Sequence, residues 1–116
     1  MKAVSFALAL IAVSFAVPAG AAPTYMTCVF TNSEGTRSEV KITADEGAGT
    51  VSVLVPKTGY TVRMAGTFTP DRVVFKDDML DYGISRVDLT ATRTIRMINS
   101  TDRGKCSVDP APKRAF

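Results

Sequence analysis

The 116-residue chain contains no histidine and no tryptophan, and it has two cysteines. Without histidine there is no Ser–His or Cys–His catalytic pair, no imidazole general base and no histidine-bearing zinc site. Without tryptophan, the best single-residue platform for stacking a sugar or a base is missing. Charge of one sign is scarce as well, with 14 Lys and Arg against 11 Asp and Glu. So small an excess gives no ground for the concentrated basic face that nucleic-acid or membrane-surface binding requires, and no nucleic-acid partner is expected. No apolar run reaches the ~20 residues of a spanning helix. The chemistry that remains is that of carboxylates, hydroxyls, three tyrosines and scattered arginines. Nothing assembles a catalytic set, and the expectation is a protein that is not an enzyme and takes no cofactor.

What is present first is an export signal. Met1-Lys2 supplies a charge, Ala3 to Val17 is an almost unbroken apolar run, and Pro18 ends any helix before the small residues Ala19-Gly20-Ala21-Ala22. That order is the layout of a secretory leader. Ala19 and Ala21 fit the two small positions before a cut between Ala21 and Ala22, whereas a cut after Ala22 would place Pro23 next to the scissile bond. The division expected is a leader over 1–21, a folded domain over 22–108 and a tail over 109–116, where Pro110 and Pro112 favour extended or disordered chain. The site of action is then periplasmic or extracellular. In such an oxidising compartment Cys28 and Cys106 are expected to form a disulfide.

The domain reads as strands throughout. Tyr60, Val62, Met64, Gly66 and Phe68 alternate with Thr61, Arg63, Ala65, Thr67 and Thr69, a period of two that marks a strand buried on one face. Shorter patterns recur in Met26/Cys28/Phe30, Val40/Ile42/Ala44, Val51/Val53/Val55, Val73/Phe75, Leu80/Tyr82/Ile84 and Cys106/Val108. Turn signals separate them: Asn32-Ser33-Glu34-Gly35, Glu46-Gly47-Ala48-Gly49, Pro56-Lys57-Thr58-Gly59 and Thr69-Pro70-Asp71-Arg72. The long stretch after Leu80 breaks near Val87 to Leu89, giving strands at about 80–86 and 89–98. The fold class expected is all-β. About eight short antiparallel strands form a meander, closing into a barrel or a two-sheet sandwich with one disulfide and no helix after the leader.

Candidate binding residues follow from the arginines and one hairpin. Arg86 and Arg96, placed on one outward face of neighbouring strands, could grip an anionic partner bidentately; pairing with Asp81 and Asp88 is the simpler assignment. Arg93 shares its parity with Leu89, Ala91, Ile95 and Met97, so it either points into the apolar side, paired with a carboxylate, or marks a bulge, and the bulge is favoured. Lys57 and Tyr60 flank Thr58-Gly59 at a hairpin tip and complete the set. Asp77, Asp78 and Asp81 fit no calcium loop and read as a solvated turn, so no metal is expected. Phe116 invites comparison with outer-membrane barrels, but two prolines and short strands argue against membrane insertion.

The layout resembles that of small periplasmic lysozyme inhibitors, which are antiparallel barrels with a disulfide. The resemblance covers architecture alone. Thr58-Gly59-Tyr60 is similar to the small-residue, glycine and tyrosine loop of that family, at a different spacing, and no residue role is carried over. It implies a monomeric exported binding module, an inhibitor acting through its hairpin loops on a protein partner such as a lysozyme-like hydrolase. Two other readings stay open: a small-ligand carrier using the barrel interior, and a structural subunit of an envelope assembly.

Overall fold

The computed structural model describes residues 22–112, which form eight antiparallel strands closed into a barrel. They follow one another as a meander: β1 Thr24–Thr31, β2 Arg37–Asp45, β3 Thr50–Val55, β4 Tyr60–Phe68, β5 Arg72–Lys76, β6 Leu80–Ser85, β7 Thr90–Ile95 and β8 Ser100–Asp109. Each strand pairs with its sequence neighbour, and β8 returns to β1 through seven residue pairs from Tyr25–Asp109 to Thr31–Arg103. Short turns make this antiparallel order the accessible one, because parallel neighbours need long crossovers. The leader expected over 1–21 and the last part of the expected tail, 113–116, lie outside the described residues.

The alternation seen in the sequence becomes the inside and outside of the barrel. Phe30, Val40, Ile42, Val51, Val53, Phe75 and Ile84 are almost wholly removed from solvent. Each contributes about 1.5–3 kcal/mol by leaving water. The outer face is polar, with Arg37, Glu39 and Lys41 exposed along β2 and Arg103 and Lys105 along β8. A lipid-facing barrel has the opposite pattern, apolar outside. Among the described residues, no helix is long and apolar enough to cross a membrane.

Cys28 and Cys106 face each other directly in the β1–β8 ladder and are joined by a disulfide with the Cα atoms 4.0 Å apart. The bridge staples the first strand to the last and fits an extracellular or periplasmic setting.

Two details depart from the sequence reading. The strand expected to run to about residue 98 stops at Ile95, and a single 3₁₀ turn, Arg96–Ile98, follows, ending at a left-handed Asn99 (φ 49°). Asn tolerates that conformation, which explains where the chain reverses. β8 therefore starts at Ser100, well before Cys106, and runs to Asp109, one residue past the expected boundary. Val108, expected on the buried face, is exposed: it still pairs with Met26 of β1, but β7 flanks β8 only as far as Lys105.

Gly104 shows how tightly β8 sits against β1. A Cβ at this position would lie 2.4 Å from the Val29 carbonyl oxygen and 2.8 Å from the Phe30 ring. The first obstacle is backbone, so no rotamer change relieves it. Gly104→Ala is expected to cost about 3 kcal/mol, read as a lowered melting temperature by circular dichroism. An unchanged midpoint would mean that β1 and β8 can separate freely at this point.

Candidate functional site

Register places the turns in two groups. The β1–β2, β3–β4, β5–β6 and β7–β8 turns gather at one end of the barrel, called here the upper end. The β2–β3, β4–β5 and β6–β7 turns share the lower end with Ala22 and Asp109.

Arg86 and Arg96 fall at opposite ends, so the shared outward face expected for them does not exist. Arg86 follows β6 at the lower end, where its guanidinium donates to both carboxylate oxygens of Glu46 (2.9 and 3.3 Å) and to the Thr69 carbonyl (2.7 Å). Its expected partner Asp88 serves its own turn instead. The Thr90 backbone N–H and hydroxyl, with help from Ser85, hold the Asp88 carboxyl down to about 2 from its usual 3.8. A carboxyl depressed by folding adds stability above its ordinary value and loses it as the folded group is protonated. Acidification from about pH 4 to pH 2 is therefore expected to loosen the β6–β7 turn, read as faster amide exchange at Thr90. Unchanged exchange across that range would show that the Asp88 cap holds nothing.

Arg96 pairs with Asp81, as the simpler assignment expected, and binds the upper turns together. Its side chain donates to the Asp77 carbonyl (2.6 Å) and its backbone N–H to the Met79 carbonyl (3.1 Å). Asp77 in turn accepts from the Met79 and Leu80 N–H groups through one oxygen. These carboxylates are turn caps and struts. Among the described residues no group of three or more acidic, Cys or His side chains is placed to hold a metal ion.

Arg93 is not at a bulge. It stands in register opposite Asp102 and points into the barrel. Its guanidinium donates to Asp102 Oδ2 (2.8 and 3.3 Å) and to Ser38 Oγ (3.0 Å), and lies 4.6 Å from the centre of the Phe30 ring. Asp102 is 4% exposed. Phe30 meets Tyr82 edge-on at 6.1 Å, and Tyr82 stacks on Phe75 at 4.8 Å. Burial raises the Tyr82 hydroxyl above its ordinary range, with Arg93 opposing the shift. All three arginines are thus committed to partners inside the molecule and none is a free anion grip.

Lys57 and Tyr60 remain at the upper end, on the β3–β4 hairpin, which turns at Gly59 (φ 75°). Here the structure gathers around Tyr60 three residues that the sequence reading missed, Met79, Met97 and Ile98. Tyr60 (58% exposed), Met79 (56%), Met97 (83%) and Ile98 (65%) all lie on upper turns or at a strand's first residue. Tyr60 and Met79 also line a cleft of about 650 Å³ floored by Val62, Met64, Leu80 and Ile95. The cleft exists because β4 and β5 pair through only three residues, Gly66–Phe75 to Phe68–Val73, and then diverge. The sequence carried one usable signal for this: β5 is five residues long while β4 is nine.

Comparison with family models, curated proteins and solved structures gave no match. Function must therefore be read from the barrel itself.

Proposed function

We propose that the protein is an exported binding module that recognises a protein partner through the upper end of its barrel. The observation that supports this most is the cluster of Tyr60, Met79, Met97 and Ile98, left exposed on turns that are otherwise held in place. Aromatic and methionine side chains are enriched at the centres of protein interfaces. The mounting is rigid: Arg96 ties the β5–β6 turn to the 3₁₀ turn, and the barrel beneath is closed by a disulfide. Loops fixed in this way lose little ordering entropy on binding, which suits an inhibitor. The partner class we propose is a lysozyme-like hydrolase, by analogy of layout alone with small periplasmic lysozyme inhibitors.

The packed middle and upper parts of the interior weigh against a small-ligand carrier that uses the whole barrel. Phe30, Phe75 and Ile42 occupy the middle, and the Arg93–Asp102 pair fills the section beneath the upper turns. Eight strands enclose room for their own side chains or for one small ligand, and the space left open is a lower-end pocket of about 540 Å³ lined by Met26, Ala44, Phe68, Val73 and Ile84.

The test is capture of a partner from periplasmic extract and host secretions by the full chain, expressed with its own leader and recovered oxidised. Tyr60→Ala and Met97→Ala are each expected to weaken capture about tenfold or more, the range of interface anchors. Val87→Ser, at the lower end, should leave it unchanged. Equal capture by all variants, or loss with Val87→Ser alone, would overturn the assignment of the upper end.

A further inference from the structure

The divergence of β4 from β5 leaves a strand edge open inside an otherwise closed barrel. The Gly66 N–H donates to the Gly49 carbonyl on the β3 side, and the Thr69 N–H donates to Arg72 on the β5 side. Backbone groups alternate sides along a strand. The N–H and C=O of Thr61 and Arg63 therefore point toward the β5 side, where β5 no longer pairs with them. Tyr60 to Ala65 overhang the last paired residue, Gly66, and at about 3.3 Å per residue that edge is roughly 20 Å long. The cleft occupies the gap where the next strand would lie.

Resting on the binding-module reading, we propose that this open seam accepts an extended segment of the partner as an added strand. The segment carries apolar side chains inward and acidic ones outward. Its backbone would complete the ladder of Thr61 and Arg63, the mode of recognition in which main-chain bonds give affinity and alternate side chains give specificity. Inward positions meet the floor of Val62, Met64, Leu80 and Ile95. Outward positions run between Arg63 and Lys76, which flank the seam and form no ion pair among the described residues. Two carboxylates on the turn above also line the cleft: Asp77 is occupied with the Met79 and Leu80 N–H groups, and Asp78 is exposed beside it, so the outward acidic positions are those nearest Arg63.

The experiment uses the full chain and two synthetic heptapeptides, one alternating valine with glutamate and one alternating valine with lysine. The valine–glutamate peptide is expected to bind and to protect the Thr61 and Arg63 amides from hydrogen exchange. The valine–lysine peptide should bind about tenfold more weakly or worse. Arg63→Pro removes a donor that no neighbouring strand uses, and should abolish the protection. Arg63→Glu keeps the backbone and should reverse the order of the two peptides, so the test survives if the proline variant fails to fold. Binding without protection at 61 and 63, or no binding of the valine–glutamate peptide at millimolar concentration, overturns the proposal. Protection that appears without peptide as protein concentration rises, with a dimer in sedimentation, assigns the seam to a second copy and also overturns it. Partner capture that survives Arg63→Pro and Arg63→Glu but is lost with Met97→Ala leaves the upper-end reading standing and removes strand addition alone.

Discussion

Replacing both Cys28 and Cys106 with alanine is expected to lower the thermal midpoint by about 20–30 °C. The bridge joins residues 78 positions apart, so it restricts nearly the whole domain in the unfolded state. Closing a loop of that length is worth about 4–5 kcal/mol on the chain-entropy account. In a domain of this size each kcal/mol moves the midpoint by roughly 4–8 °C. The native barrel should keep its shape without the bridge, because the β1–β8 ladder and its seven residue pairs remain. The loss is therefore expected in the melting temperature and the urea midpoint, with an unchanged far-ultraviolet spectrum in the cold. A shift of only a few degrees would mean that the unfolded chain is already compact enough to hold β1 near β8.

Asp102→Ala is expected to be nearly as damaging, by about 3–5 kcal/mol, because it strands the Arg93 guanidinium inside the barrel. Ser38, the Phe30 ring and Tyr82, opposite it on β6, would be its remaining neighbours, and none carries a compensating charge. The pair itself need not be stabilising, since desolvating two charges offsets most of their attraction. The double variant Arg93→Met with Asp102→Leu should consequently recover much of the stability lost in the single variant. Denaturant unfolding of both variants separates the two contributions. If the double variant is as unstable as Asp102→Ala, the cost lies in shape and packing, and the buried charge is not its cause.

The barrel was legible in the sequence because its inside and outside are written residue by residue. The parity of Met26, Cys28 and Phe30, or of Val40, Ile42 and Ala44, is the parity found in the structure. Short hairpin signals fixed neighbouring strands as antiparallel, and an eight-strand meander with one buried face has few alternatives to closure. The β7–β8 region was less legible. Met97 continues the alternation of Ala91 and Ile95 past the end of β7, into the 3₁₀ turn that precedes Asn99, so its parity reads as buried while it is among the most exposed apolar residues. With β8 begun too late, Asp102 went unnoticed. Extending the parity of Cys106 backwards would have placed it inside, opposite the one inward arginine that needed a carboxylate. The upper-end cluster was legible only in part. Tyr60 stood among the candidate residues and the β5 pattern is shorter than that of β4, but Met79, Met97 and Ile98 join Tyr60 only through the way the upper turns fold.

Hydrogen exchange of the protein in complex with its captured partner is the most direct measurement of the central claim. Protection is expected over 56–63, 77–80 and 96–99, with the lower turns at 46–49, 69–71 and 86–89 exchanging as in the free protein. Protection confined to the lower turns, or spread along the outer faces of β2 and β8, would contradict recognition through the upper end of the barrel.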